Sequence, residues 1–238
     1  MEDGHNLIFK PETHKYFLDG KELVSCSTLV KFFSPTFDEK GEIIKRCADR
    51  EGITVEELQK RWDKEKNDAA DRGNSFHTQA QYWVENKKVG EGDYKDIVKQ
   101  LTKFKFKGKL IAERKVYNKD FGIAGTIDLT EIFKNNVKYL YDYKTNKKLK
   151  MRGFFDREKR RFTNMLDPIK HLEDCNFVHY SLQLSLYRLI EEENGSWVDG
   201  TEILYVNPKT RQIERYPVKY YRKECLRMIE QYKKINAI

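Results

Sequence analysis

Hydrophobic and polar residues alternate with a period of two in several stretches of the chain, and this alternation predicts β-strands. Three such stretches follow one another in the middle of the chain, at 109–117, 122–133 and 137–145, with turn residues between them. We expect these three to form an antiparallel meander. Further alternating stretches predict an N-terminal hairpin and two late strands, at 6–10, 15–18, 201–206 and 212–218.

Apolar residues spaced as on one face of a helix lie on both sides of the meander. Before it, Thr54 and Glu57 have the spacing of a capping box, and the helical register continues to residue 86. After it, Leu182, Leu186 and Leu189 predict a helix over 177–193. Shorter helices are expected at 27–33 with Ser27 as the cap, 38–47, 93–106, 167–174 and 220–235. This order of elements predicts an α/β fold with a mixed sheet.

The composition adds a preference for an anionic partner. The chain has 238 residues and a formal net charge of +8, which favours nucleic acid but also fits an ordinary basic protein. Its four cysteines are far apart and form no CxxC pair, so we expect neither a zinc knuckle nor a disulfide framework, and an intracellular location. No apolar run reaches the roughly 18 residues that a membrane span needs.

The third strand of the meander carries an acidic residue and a lysine on one face, Asp142 and Lys144. If the meander pairs as predicted, Asp128 of the preceding strand lies on the same face as Asp142. Two adjacent carboxylates in a partly buried sheet repel each other unless a cation lies between them, and Mg²⁺ or Mn²⁺ takes such oxygen ligands. The alternative is a plain Asp–Lys pair on an exposed strand, with Asp128 unrelated to it.

Four short motifs occur along the chain in a particular order: RGNSFH at 72–77, GTID at 125–128, DYKT at 142–145 and QLSLY at 183–187. Together they resemble the core of the PD-(D/E)XK nucleases, and more narrowly the RecB-like exonucleases, which include the mitochondrial genome maintenance exonuclease and phage exonucleases. The resemblance implies a restriction-endonuclease-like mixed β-sheet flanked by helices, with a helical N-terminal region. We expect that region, 1–68, to pack on a nuclease core over 69–238.

The resemblance also implies a metal site for Mg²⁺ or Mn²⁺. Its ligands would be Asp128, Asp142, the backbone carbonyl of Tyr143 and the imidazole of His77. Glu113 on the first strand would be a further ligand, or would instead pair with a neighbouring arginine or lysine. Many relatives carry a glutamate where this chain has a glutamine four residues after the histidine, so we expect one ion. The cysteine spacing does not match that of the relatives with an iron–sulfur cluster, and we expect none.

By the same resemblance, Lys144 would orient the attacking water and stabilise the transition state, and Gln183 would bind near that water or the scissile phosphate. Tyr187, one helical turn after Gln183, would contact DNA or simply pack. The polar stretch 146–176 is basic and contains phenylalanines, which suits a single strand, although it also fits a solvated charge run. The expected phosphate contacts are Thr145, Lys147, Lys148, Arg152, Arg160 and Arg161.

These expectations describe a metal-dependent deoxyribonuclease. We expect an exonuclease that acts on single-stranded ends or tails in DNA repair, recombination or replication. The alternatives are a DNA-binding or recombination protein that keeps the fold without cutting, and a structure-specific endonuclease.

Overall fold

A computed structural model of the protein describes residues 6–35, 41–157 and 159–237. The strands are β1 (Leu7–Lys10), β2 (Lys15–Leu18), β3 (Lys21–Ser25), β4 (Lys109–Asn118), β5 (Ile123–Ile132), β6 (Lys138–Lys144), β7 (Phe155–Asp156), β8 (Arg161–Phe162), β9 (Val198–Val206) and β10 (Ile213–Pro217). The helices are α1 (Cys26–Phe32), α2 (Glu42–Glu51), α3 (Val55–Asn86), α4 (Lys95–Leu101), α5 (Asn176–Glu193) and α6 (Arg222–Asn236). The first residues of the helix expected at 38–47 lie outside the described residues.

The large sheet is mixed and follows the order β1-β2-β3-β5-β6-β9-β10, with β4 also paired to β5. The expected meander β4-β5-β6 is antiparallel throughout, whereas β3 runs parallel to β5 and β6 runs parallel to β9. Helices cover both faces: α1, α5 and α6 pack on one, and α3 and α4 pack on the other. The predicted fold class, a mixed sheet flanked by helices as in restriction endonucleases, is therefore confirmed.

Strand β5 has an unusual set of neighbours. It pairs with β4 along nearly its whole length, from Ile123 to Ile132. A strand has only two edges, so β3 and β6 must share the other one. β3 pairs with Ile123 and Ala124, and β6 begins to pair at Leu129. The intervening residues, 125–128, therefore lie in a gap between two neighbouring strands, and we call this gap the fork.

The N-terminal helices meet the sheet through α3. Thr54 and Glu57 form the predicted capping box, and α3 then continues for 32 residues across the boundary that we expected at residue 68. Ile44, Ala48 and Leu58 form a separate small cluster where α2 packs on the start of α3. The division into an N-terminal region and a core stays a prediction.

Some local expectations were wrong. The first short helix begins at Cys26 because Ser25, and not Ser27, accepts the capping hydrogen bond from the Thr28 amide. The helix expected over 93–106 is only Lys95–Leu101, since the chain beyond it extends and Phe104 and Phe106 pack on the core. The stretch 167–174 forms turns, consistent with the proline at 168, which disfavours helical backbone in the residue before it. The pattern also gave no indication of β3, β7 or β8.

Candidate active site

The fork brings together the acidic residues predicted from the sequence. Asp128 is the last residue of β5 before its pairing with β6 begins, and the register of that pairing places Asp142 opposite it. Both side chains are buried, with Asp142 only 1% exposed. Strand alternation and the meander thus correctly predicted that these two carboxylates would be neighbours.

Lys144 contacts Asp142 through an ion pair, with Nζ 2.5 Å from Oδ2. Beyond this ion pair, neither oxygen of Asp142 has a hydrogen-bond partner among the described residues. Burial raises the pKa of Asp142 to about 6, and repulsion from Asp128 adds to the rise, while Lys144 opposes it. Burial disfavours the charge on Lys144, but the two carboxylates outweigh it and raise the pKa of the ammonium. The site therefore holds buried negative charge that one lysine does not fully satisfy.

His77 on α3 points at Asp128 and at Glu113 of β4. Its Nδ1 lies 3.4 Å from Glu113 Oε1 and 3.5 Å from Asp128 Oδ1, and the three ligand atoms lie within 4.8 Å of one another. Ligands about 2.1 Å from a divalent ion are at most about 4.2 Å apart, so a small inward movement would complete the set. The cluster fits a divalent cation by both spacing and donor chemistry.

The protonation of His77 follows from the carboxylates around it. Burial lowers the pKa of His77, but Asp128 and Glu113 outweigh that effect and raise it to about 9. Burial raises the pKa of Asp128, although His77 and Lys144 act against the rise. Without a metal ion, the imidazolium is thus the counter-charge of the carboxylates, and a cation that binds here must displace its proton.

The backbone at Glu113 and at Tyr143 helps to position the side chains of the cluster. Glu113 has a φ of 47°, in the left-handed region that costs a glutamate about 1–3 kcal/mol. The register places Glu113 opposite Asp128, since the residues on either side of it pair with Leu129 and Ile127. One oxygen of Asp128 accepts a hydrogen bond from the Tyr143 amide at 2.6 Å, while its other oxygen is the one near His77.

The expected alternative partner of Glu113 was a neighbouring arginine or lysine. Arg114 instead forms an ion pair with the buried Glu191, which also binds Lys138. Asp142 lies outside the group of side-chain ligand atoms around His77, whereas Tyr143 contacts the group through its amide, which donates to Asp128. The roles of these two residues as ligands stay predictions.

Of the two roles expected for Tyr187, contact with DNA or packing, the structure shows packing. Its side chain is 3% exposed, and its hydroxyl accepts a hydrogen bond of 2.7 Å from Gln183 Nε2. The ring packs so closely on Gly125 that an added methyl group there would lie 2.3 Å from Cε1. Helical spacing correctly predicted that Tyr187 shares a face of α5 with Gln183. It did not reveal that Gly125, at the fork, packs against this face. The Tyr187 side chain is placed to orient the amide of Gln183.

The basic stretch after β6 is only partly available to a ligand. Lys148, Arg160 and Arg161 are exposed. Lys147 pairs with Glu65 at 3.0 Å, and Arg152 is held by both carboxylate oxygens of Glu173. Arg152 also stacks on Phe162, so its contacts are those of a brace for the small β7-β8 hairpin rather than of a free phosphate ligand.

Tyr180 is a residue that the sequence analysis did not single out. Its ring centroid lies 4.6 Å from Lys144 Nζ, in cation–π contact. It precedes Gln183 by three residues on α5, so helical spacing could have placed both on one face. The lysine is thereby held between a carboxylate and an aromatic ring.

The protein is a mixed α/β protein with a partly buried cluster of two carboxylates and a histidine beside the fork. No protein-family model and no curated protein matches the sequence. Among solved structures, SSO0001 is similar with a TM-score of 0.42 and 12% identity, over 90% of this chain and 75% of that one. A candidate exonuclease from Eubacterium rectale is similar with a TM-score of 0.45 and 18% identity, over 76% and 70% of the two chains. Similarities this distant carry no functional argument, so function has to be argued from the site.

Within the described residues, no helix combines the length and the apolar character that crossing a membrane requires.

Proposed function

We propose that this protein is a metal-dependent nuclease of the PD-(D/E)XK type that hydrolyses phosphodiester bonds in DNA. The observation that carries the proposal is the fork. There, two buried carboxylates, a half-buried lysine and a half-buried histidine meet, and beyond the ion pair with Lys144 the Asp142 oxygens lack hydrogen-bond partners among the described residues. Few arrangements explain such a concentration of buried charge other than a site built for a cation.

The donor set fits Mg²⁺ or Mn²⁺. His77, Glu113 and Asp128 would hold the ion, with Asp142 and the Tyr143 carbonyl as the further ligands that the motif implies. A bound divalent ion would polarise the phosphate and make a water molecule more acidic. Lys144, positioned by Asp142 and Tyr180, would offset the negative charge that develops on the phosphorane.

A nucleic acid is the substrate that the surroundings favour. The chain carries a net charge of +8, although the carboxylates of Asp128 and Asp142 are buried at the fork. A protein that only bound DNA would gain nothing from carboxylates buried where the phosphates approach, because they repel the ligand. A cleaving enzyme needs them to hold its metal ion, and this difference favours the nuclease over the non-cleaving DNA-binding protein.

The β7-β8 hairpin favours single-stranded substrates. Phe154 is 75% exposed, Phe155 is 46% exposed, and the exposed Arg160 and Arg161 lie nearby on the same hairpin. Exposed rings beside cations suit bases that are not stacked in a duplex. Phe155 also packs edge-on against Phe162, which fixes its orientation. We therefore propose an exonuclease that acts on single-stranded ends or tails.

The test is digestion of end-labelled single- and double-stranded DNA with Mg²⁺, with Mn²⁺ and with EDTA. We expect cleavage with either ion and none with EDTA. Lys144→Ala should lower the rate by at least about 10³-fold while DNA binding persists. Lys88→Ala, which removes an exposed lysine from the turn after α3, is the matched control and should cleave normally. Absence of metal-dependent cleavage of every substrate would refute the enzyme and leave the DNA-binding protein.

Covalently closed single-stranded circles separate the two kinds of nuclease. An exonuclease needs an end, so it should leave the circles intact while it degrades linear strands of the same sequence. Conversion of circles to linear products would identify an endonuclease instead.

A further inference from the structure

A small cavity of about 110 Å³ lies directly beside the proposed active site. It is bounded by α3, by the end of β6 and by the turn between β9 and β10, and Arg72, Tyr94, Thr145 and Arg211 are among its lining residues. Water occupies about 30 Å³ per molecule in the liquid, so the cavity has room for a group several times larger than a single water. The lining residue Thr145 directly follows Lys144 in the sequence, so the cavity is a candidate binding site for part of the substrate.

The two arginines of this cavity differ in their contacts. Arg211 is neutralised by Asp96, with Nη2 2.6 Å from Oδ1, and it also donates to a backbone carbonyl. Arg72 is half-buried and makes no hydrogen bond or ion pair with any described residue. The nearby Glu65 is already paired with Lys147. The Arg72 guanidinium therefore faces the cavity with its donors unused.

Two neighbouring features complete an anion site. Thr145 lines the cavity and, within the described part of the chain, its hydroxyl has no hydrogen-bond partner. Gly73, inside α3, lies close to it: a methyl group at Gly73 would be 3.5 Å from Thr145 Oγ1, at ordinary van der Waals distance.

We propose that Arg72 and Thr145 bind a phosphate of the nucleic acid that neighbours the scissile phosphate. This inference rests on the proposed function and specifies its substrate contacts. Arginine matches the phosphate oxygens with two parallel N–H donors, and the threonine hydroxyl supplies a third. Arg72 precedes His77 by five residues, about 7.5 Å along the helix axis. That distance is about two nucleotide rises of about 3.4 Å, so the bound phosphate lies within about two linkages of the metal cluster.

The first experiment measures binding of a single-stranded oligonucleotide in EDTA, where no cleavage occurs. Arg72→Gln should weaken binding about tenfold and should reduce the slope of log K against log salt by about 0.7. Lys66→Gln is the matched control, because it removes one positive charge from an exposed position of the same helix, and it should change binding less than twofold. Arg72→Lys keeps the charge and should restore the salt slope. A wild-type salt slope in Arg72→Gln would overturn the proposal.

The second experiment locates the phosphate. Single linkages of the oligonucleotide are replaced one at a time by uncharged methylphosphonates. For the wild type, one linkage next to the cleavage point should cost about tenfold in binding, and the same replacement should cost Arg72→Gln nothing further. If the fold-losses in binding from the methylphosphonate and from Arg72→Gln multiply at every linkage, the two act independently and the proposal is overturned. Both experiments measure binding alone. A protein that binds DNA but never cleaves it would refute the proposed nuclease, and the binding data would still decide on the phosphate site. A protein that binds no DNA would refute both proposals.

Discussion

The sharpest prediction concerns Asp142, whose ionised form should destabilise the metal-free protein. Its carboxyl is buried at the fork, and its pKa is raised from an ordinary value of 3.8 to about 6 by burial and by repulsion from Asp128. The unfolded chain therefore loses this proton at a lower pH than the folded protein does. Between about pH 4 and pH 6 the folded state binds more protons, so the contribution of this group to stability falls as the pH rises through that window.

The magnitude follows from the two pKa values. The difference between 3.8 and about 6 corresponds to about 3 kcal/mol at about 1.36 kcal/mol per pKa unit, and it already includes the attraction of Lys144. Asp142→Asn removes the ionisation but leaves a buried amide without partners, which costs about 1–2 kcal/mol at every pH. The variant should thus be about 1–2 kcal/mol more stable than the wild type at pH 7.5, and about as much less stable below pH 4.

The assay is chemical denaturation of both proteins in EDTA at pH 3.8 to 7.5, with the difference in unfolding free energy plotted against pH. Carboxylates distant from the fork contribute equally to both proteins and cancel. Asp199→Asn, at an exposed position of β9, is the control and should give a flat difference. A flat difference for Asp142→Asn, or one that favours the wild type more as the pH rises, would refute the reasoning about the fork.

Three further predictions test other parts of the site. Metal affinity should rise up to tenfold per pH unit between pH 7 and pH 9, because Mn²⁺ must displace the proton of His77, whose pKa is about 9; calorimetric titration at three pH values checks this, and a flat affinity would contradict it. Gly125→Ala should lower the free energy of unfolding by about 1–3 kcal/mol, since the methyl group would meet the ring of Tyr187; a denaturation midpoint equal to that of the wild type would contradict it. Phe154→Ala should weaken binding of single strands about 5- to 100-fold by fluorescence anisotropy and leave duplex binding unchanged, whereas equal losses on both would exclude base stacking.

Much of the fold could be predicted because local patterns specify it. The meander was predicted correctly because its strands alternate strictly and its turns are short, and the capping box at Thr54 correctly marked the start of the longest helix. Alternation was also enough to predict that Asp128 and Asp142 are neighbours. These features depend on residues close together in sequence, where periodicity and turn chemistry decide the structure.

The remaining features depend on contacts between distant segments. β3 has little alternation, and its pairing with β5 joins residues about 100 positions apart, so the fork that it creates could not be read from the pattern. The burial of Tyr187 follows from the fork, because only there does Gly125 meet α5. The position of Glu113 beside His77 likewise needs a left-handed residue inside a strand, which no propensity favours.

The costs collected at the fork are themselves an argument for catalysis. Asp142 is buried and, beyond its ion pair with Lys144, has no hydrogen-bond partner among the described residues. Glu113 adopts a strained backbone conformation, and Gly125 takes a central position in a strand, where glycine is unfavourable. Each of them lowers stability, and apolar side chains could have packed the same space. A protein that only bound DNA on its basic surface would need none of them. Destabilising features that converge on one point of an otherwise well-packed sheet are expected where function requires them; the proposed divalent ion accounts for Asp142 and Glu113, and Gly125 leaves room for Tyr187 beside Gln183.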